Sequence, residues 1–334
     1  MIANLVTATR SSGAPLTADS KHLLDVDSLS PEQIQTLGSR AIEFRQLRAS
    51  QPFKSDSLRG GSIYTLFFEN STRTRVSFEH AGKALGADVI NIAASTSSVN
   101  KGESLLNTVL TLDAMGIDAL IVRHPHSGAP HFIARHVNAV VINAGDGAHG
   151  HPTQALLDVL TLQDHLGNLK GAKLALIGDI LHSRVARSDI IAFRKMGVEI
   201  AIAGPPTLLP EGWTPGPNSL GIPGTEVTVH ETVEDAVRDA DAIMCLRLQL
   251  ERQTSGLLPD VNEYSRVWGI NAERLALASP GAPVMHPGPM NEGLEVSTDI
   301  AHGDLSLVEN QVENGLVMRM AVLEHFCAPT REIA

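Results

Sequence analysis

The chain has 334 residues, 43% of them hydrophobic and 19% charged, and 26 basic against 37 acidic side chains give a formal net charge of −11. That length exceeds one ordinary core and predicts two domains, while the acidic balance argues against nucleic acid or an anionic membrane as the main partner. The two cysteines, Cys245 and Cys327, lie far apart without a CxxC pair, so they read as core residues of a cytoplasmic protein rather than a disulfide framework or a zinc knuckle.

In chain order, Met1 to Lys21 is Ser/Thr-rich, lacks the apolar centre of a secretory signal, and reads as a flexible extension. No apolar run reaches the ~18 residues that span a bilayer. A helix is predicted from Ser30, with Pro31 at its first position and Gln33 completing a capping box. Strands and helices then alternate: strand Ser62–Phe68, helix Thr72–Leu85, strand Asp88–Ile92, helix Glu103–Met115, strand Asp118–Arg123, helix Pro130–His136, strand Ala139–Asn143. Helix Pro152–His165 is expected to bridge to a second domain.

The second half repeats the order: strand Lys173–Gly178, helix Arg184–Met196, strand Glu199–Ala203, strand Glu226–His230, helix Val233–Ala240 and strand Asp241–Leu246, with a further strand at Pro283–Met285. Residues 204–224, with six prolines, are predicted as loop, and a last helix covers Leu307–Phe326. The fold class is α/β: two doubly wound parallel-sheet domains with the active site in the cleft between them. The expected boundaries are 1–152 for a first domain, on which the last helix packs back, and 153–306 for a second.

Ligands in such sheets sit beyond the carboxyl ends of the strands, and polar groups gather there in this chain. The first strand feeds Ser71-Thr72-Arg73-Thr74-Arg75 at a helix start, where hydroxyls, guanidinium forks and backbone N–H groups make a phosphate site. The plainer reading is an N-cap followed by two solvated arginines. Later strands end at Arg123-His124, at Gly145-Asp146-Gly147 before His151-Pro152-Thr153-Gln154, at Gly178-Asp179 before Ser183-Arg184, at Arg247-Leu248-Gln249, and at His286-Pro287-Gly288-Pro289.

Phe68-Glu69-Asn70-Ser71-Thr72-Arg73-Thr74-Arg75 followed by His151-Pro152-Thr153-Gln154 resembles the aspartate/ornithine carbamoyltransferase family, over about Leu29 to Phe326. The resemblance implies transfer of the carbamoyl group of carbamoyl phosphate to an amine. The Lys101-Gly102-Glu103 loop, Arg247-Leu248-Gln249 and the Pro-Gly-Pro turn at 287–289, in place of His-Cys-Leu-Pro, resemble the branch whose acceptor is L-aspartate. Aspartate's two carboxylates match two guanidinium forks and a neutralising lysine. Asn100 stands where some members carry a second lysine.

By the same resemblance, Ser71, Thr72, Arg73 and Thr74 hold phosphate, and Arg123 bridges phosphate and the carbonyl oxygen. His151, with Thr74 and Arg123, polarises that oxygen. Gln154 and the backbone carbonyls of Pro287 and Gly288 accept from the carbamoyl NH₂. Arg184 takes the α-carboxylate, and Arg247 with Gln249 takes the side-chain carboxylate. Lys101, in the polar 94–100 loop that would otherwise read as a solvated linker, enters the neighbouring subunit's site, which implies a homotrimer. Regulatory or dihydroorotase-like chains could join a larger assembly.

No cofactor or metal is expected. The 178–183 stretch lacks G-x-G-x-x-G, and the histidines His124, His126, His131, His136, His149 and His151 lack a ligand spacing with Cys or carboxylate partners. Arg59 and Arg194 read as solvated or structural, and Gly315 as a close-packing point in the last helix. Two other classes stay open: a carbamoyltransferase for another amine such as ornithine, and a non-catalytic scaffold that binds carbamoyl phosphate.

Overall fold

Near-continuous apolar runs in the strands suit sheets covered by helices on both faces. The computed structural model describes residues 21–50, 53–93, 104–249 and 260–328. The first sheet contains β1 (Ser62–Phe67), β2 (Asp88–Ala93), β3 (Ala119–His124) and β4 (Val140–Asp146), all parallel in the order β2-β1-β3-β4. Around it lie α1 (Pro31–Ser50), α2 (Thr72–Ala84), α3 (Leu105–Ala114) and α4 (Ala129–Ala134). Along β3 and β4, Ile121, Val140 and Ile142 join one buried cluster with Phe44, Phe78 and Ala81 of α1 and α2. Leu120, Val122 and Val141 join another with Val109, Leu112 and Ile133 of α3 and α4. Alternate side chains thus serve opposite faces, which is why these strands read as continuous apolar runs.

The second sheet has six strands in the order β10-β9-β5-β6-β8-β7: β5 (Lys173–Ile177), β6 (Glu199–Ala203), β7 (Gly216–Ser219), β8 (Glu226–Val229), β9 (Ala242–Cys245) and β10 (Val284–Met285). The helices are α5 (Pro152–Leu166), α6 (Arg184–Lys195), α7 (Val233–Val237), α8 (Val261–Trp268), α9 (Ala272–Leu275), α10 (Thr298–Ala301) and α11 (Val308–Cys327). Residues from both sheets, α5, α6 and α11 share one core cluster, so the two sheets are not separately cored. Helix α5 carries that continuity: Pro152 to Leu162 are all buried. Helix α11 returns to pack on α1, α2 and α5.

The capping box forms as expected: Gln33 N donates to Ser30 Oγ at 3.2 Å and Ser30 N to Gln33 Oε1 at 2.8 Å. Gly315 is a close-packing point, since a Cβ there would sit 2.6 Å from Arg319 Nη1 and 3.3 Å from Leu157 Cδ2. Arg59 is exposed beside Asp56, while Arg194 donates to Val198 O at 3.0 Å. Cys245 and Cys327 are buried thiols.

Residues 204–224 are a correction. The stretch holds a 3₁₀ turn at Pro206–Leu208 and strand β7, paired antiparallel to β8 with Pro217 opposite Thr228. Being at the sheet's edge, β7 tolerates a proline that an interior strand would not. At the start of the described chain, Leu23 forms a parallel bridge with Ile142 of β4. Among the described residues no helix is long and apolar enough to cross a membrane. The expected extension over 1–20 and the 94–101 loop with Lys101 lie outside the described residues.

Candidate active site

Every strand of both sheets except β7 runs parallel to its neighbours, so the chain leaves several of them at the same rim. The rim encloses a cleft of about 1550 Å³ bordered by Ser71, Thr72, Arg73, Thr74, Arg123, His151, Gln154, Arg184, Arg247, Gln249, Pro287 and Gly288. Of the site residues expected from sequence, the structure brings together all but Lys101, which falls outside the described residues.

Helix α2 supplies one wall. Its N-cap Ser71 is extended and makes no side-chain capping bond. Ser104 and Ser183, by contrast, cap α3 and α6 by accepting from Asn107 N at 3.2 Å and Ala186 N at 3.1 Å. The plain N-cap reading therefore does not hold for Ser71. Ser71 borders the cleft with Thr72 and Thr74 at the start of α2, and the first turn of a helix carries unpaired N–H groups of the kind that suit an anion.

Guanidinium groups converge from the other elements. Burial and the charge of nearby Arg247 push Arg73 below its ordinary pKa, so each of these cations would gain by an anion placed between them. Arg123 Nη1 donates to Ala144 O at 3.1 Å. Arg184 Nη2 contacts Glu69 Oε2 at 2.8 Å, and Arg123 Nε lies 3.4 Å from the same oxygen. Glu69 thus links the two sheets' arginines with one carboxylate. Sequence reasoning quoted Glu69 only as part of a motif.

Gly145, at φ +117, lets these forks close in, because a Cβ there would lie 3.0 Å from Arg184 Cζ and 3.2 Å from Arg123 Nη1. Gly288, at φ +57, does the same for Arg73, whose Nη1 would be 2.2 Å from a Cβ. Arg73 Nη2 lies 3.4 Å from Pro287 O, so this carbonyl, expected to meet the carbamoyl NH₂, has Arg73 beside it here.

His151 sits at the N-cap of α5, its N–H given to Ser188 Oγ at 2.8 Å and its Nδ1 buried without a protein partner. Burial, then the charges of Arg123, Arg184 and Arg319, hold its pKa well below the usual histidine value. The imidazole is neutral and can donate one hydrogen bond into the cleft.

The supporting role of two further acids carried no sequence signal, although Asp179 was read among the strand-end polar residues. Asp179 accepts from His182 N at 3.1 Å and from Gln249 N at 3.4 Å, fixing the backbone beside Arg247. Buried Glu295 accepts from Leu248 N at 2.8 Å and Asn291 N at 2.7 Å, tying the 247–249 and 286–291 segments together. Each is one isolated acid among 37, and only tertiary pairing singles it out.

Of the histidine-rich region, His131, Asp146 and His149 bring one ligand atom each within 4.8 Å of one another. Asp146 already accepts from Gly128 N at 2.7 Å, Asn143 Nδ2 at 2.8 Å, Gly150 N at 3.1 Å and His149 Nδ1 at 3.2 Å. His131 Nε2 faces Asp25 Oδ2 at 3.1 Å. A carboxylate with about four lone-pair sites is saturated by those donors, so the trio is a hydrogen-bonded frame for the 146–150 loop.

Residues 21–164 match the family model described as aspartate/ornithine carbamoyltransferase, carbamoyl-P binding domain, and residues 170–326 match its Asp/Orn binding domain. The chain is 50% identical over 303 residues to the aspartate carbamoyltransferase catalytic subunit of Desulforudis audaxviator, covering 91% of this chain and 96% of that one. It is 51% identical to that of Pelotomaculum thermopropionicum, with 91% and 95% covered. Among solved structures, Trypanosoma cruzi aspartate transcarbamoylase in complex with carbamoyl phosphate superposes with a TM-score of 0.80 at 31% identity, over 91% of this chain and 95% of that one. The ornithine carbamoyltransferase of Pyrococcus furiosus gives 0.79 at 27% identity, over 90% and 95%. Two matched domains that together span most of the chain, relatives at half identity and a shared rim of arginines lead to one assignment: the chain belongs to the aspartate/ornithine carbamoyltransferase family.

Proposed function

We propose that the chain transfers the carbamoyl group of carbamoyl phosphate to the amine of L-aspartate, giving N-carbamoyl-L-aspartate and phosphate in de novo pyrimidine biosynthesis. One observation carries the reading: an acidic protein gathers Arg73, Arg123, Arg184 and Arg247 on a single cleft that opens at a helix N-terminus. Together the two substrates bring a phosphate and two carboxylates to that cleft. The naming of the half-identical relatives supports aspartate as acceptor.

In this reading Ser71, Thr72, Arg73 and Thr74 seat the phosphate. Arg123, Thr74 and neutral His151 donate to the carbonyl oxygen, where negative charge grows as the aspartate nitrogen attacks. The new C–N bond forms, the C–O bond to phosphorus breaks, and the departing phosphate takes the amine proton. Arg184 binds the α-carboxylate after displacing Glu69, and Arg247 with Gln249 binds the other. The site then works by positioning and preorganised charge, with no covalent enzyme intermediate.

The active form in this proposal is a cytoplasmic homotrimer in which Lys101 of one subunit completes the neighbour's site. The carbamoyl-phosphate domain covers 1–152 with α11 packed on it, and the aspartate domain covers 153–306. Turnover of carbamoyl phosphate by the purified protein with L-aspartate or L-ornithine tests the reading. Carbamoylated product with aspartate alone is expected; product with ornithine alone overturns it.

A further inference from the structure

Asp158 lies on α5, one turn beyond Gln154, and is fully buried. Gln154 Nε2 donates to its two oxygens at 3.1 and 3.2 Å, and Gln311 Nε2 of α11 donates to Oδ1 at 2.6 Å. The other end of Gln311 is also committed: its Oε1 accepts from His286 N at 2.9 Å. His286 Nδ1 in turn accepts from Gly288 N at 2.8 Å. One carboxylate therefore anchors two walls of the cleft, Gln154 directly and the 286–288 turn through Gln311.

The chemistry of the anchor is set by its donors: both oxygens of Asp158 accept from Gln154 and Oδ1 also accepts from Gln311, so toward these two amides the carboxyl acts as an acceptor. A primary amide is nearly symmetric in shape and can face either way; against a carboxylate it must present N–H. With Gln154 Nε2 held, its Oε1 is turned away from Asp158, at the border of the cleft. With Gly288 N held by His286, the turn is fixed at the border of the cleft, where Pro287 O lies 3.4 Å from Arg73 Nη2. The anchor's charge is balanced by its surroundings. The Arg319 guanidinium is attracted to it, and the buried Asp189 carboxyl of α6 interacts with it. Neither oxygen of Asp189 accepts from a protein donor, so Asp189 is the partner that carries a proton and donates it.

We propose that Asp158 is the positioning residue that commits the Gln154 amide to present its oxygen rather than its NH₂ at this end of the cleft, so that the site favours an acyl phosphate whose acyl group carries N–H donors, a carbamoyl, over one that carries none, an acetyl. The inference rests on the reading that Gln154, Pro287 and Gly288 meet the carbamoyl NH₂. A buried acceptor facing a methyl group is left unpaired, which costs about 1–3 kcal/mol for each such group.

The test is the binding of three probes, carbamoyl phosphate, acetyl phosphate and inorganic phosphate, to the full-length wild type and to Asp158→Asn, Asp158→Ala and Gln154→Ala. Asparagine brings donors of its own, and alanine leaves room for a water that both donates and accepts, so each frees the Gln154 amide to turn. Inorganic phosphate touches only the far wall and reports that the site is folded. The expected result for either Asp158 variant is a carbamoyl-over-acetyl preference reduced about tenfold, with phosphate affinity within about twofold of wild type. Phosphate binding and preference both retained would overturn the inference. If Gln154→Ala loses the preference while both Asp158 variants keep it, only the role of Asp158 falls. If Gln154→Ala itself keeps it, the assigned carbamoyl subsite is wrong and the inference falls with it.

Discussion

Arg184 is almost wholly buried, and its fork already grips a carboxylate, that of Glu69. A lysine cannot reproduce a bidentate fork, so Arg184→Lys should raise KM for aspartate about tenfold or more while the Kd for carbamoyl phosphate stays close to wild type. Steady-state kinetics beside direct binding separates the two. Gly288→Ala drives a methyl into the Arg73 guanidinium and demands a positive φ from a residue with a Cβ, so kcat/KM should fall about tenfold or more with the fold intact by circular dichroism. For His151, a pKa held well below 6.5 by burial and three arginines means a neutral ring throughout the working range. Its ¹³C-labelled ring signal should therefore not titrate between pH 6 and 8; a midpoint near 6.5 would contradict the neutral donor. At this scale the reacting residues were legible because hydroxyls and arginines at strand ends have few other uses in an acidic chain. Of their supports, Glu69 and Asp179 showed only as motif and strand-end residues, and Asp158, Glu295 and Arg319 not at all, because a buried acid or arginine is recognisable only by the partner that folding brings to it.

At the scale of elements, α5 and α6 meet across a buried pair of acids. Burial raises the pKa of both Asp158 and Asp189, and the neighbouring Asp158 charge raises Asp189 further. The sign follows from linkage: an acid whose folded pKa is raised contributes its stability below the unfolded value near 4, and that contribution is lost as pH rises toward the folded value. Asp189→Asn keeps an N–H donor toward Asp158 and removes the ionisation. It should melt a few degrees above wild type at pH 8, a difference of about 1 kcal/mol or more, and converge with it near pH 4. The alternation of helices and strands was legible because long apolar periods mark it. Strand β7 was not, since its pairing with β8 is decided at a sheet edge rather than by its own residues, and α9 and α10, four residues each, are too short for a period to show.

For the whole molecule, the proposal that Lys101 of a neighbour completes the site makes a prediction no single chain can meet. Lys101→Ala and His151→Ala, each nearly inactive alone, should regain activity when unfolded together and reassembled, because some mixed trimers then contain an intact site. Recovery no greater than the sum of the two would place every catalytic group on one chain.

The return of α11 to α1, α2 and α5 bears on how the chain comes into being during synthesis. Phe78, Ala81 and Leu157 belong to the same core cluster as Val317, Met320 and Ala321, residues made more than 150 positions after Leu157. Helices α1, α2 and α5 are thus obliged to wait for α11, made long after them, before their apolar faces are covered. A messenger broken shortly before the codons for α11 should therefore yield a chain in which α1, α2 and α5 present an uncovered apolar face.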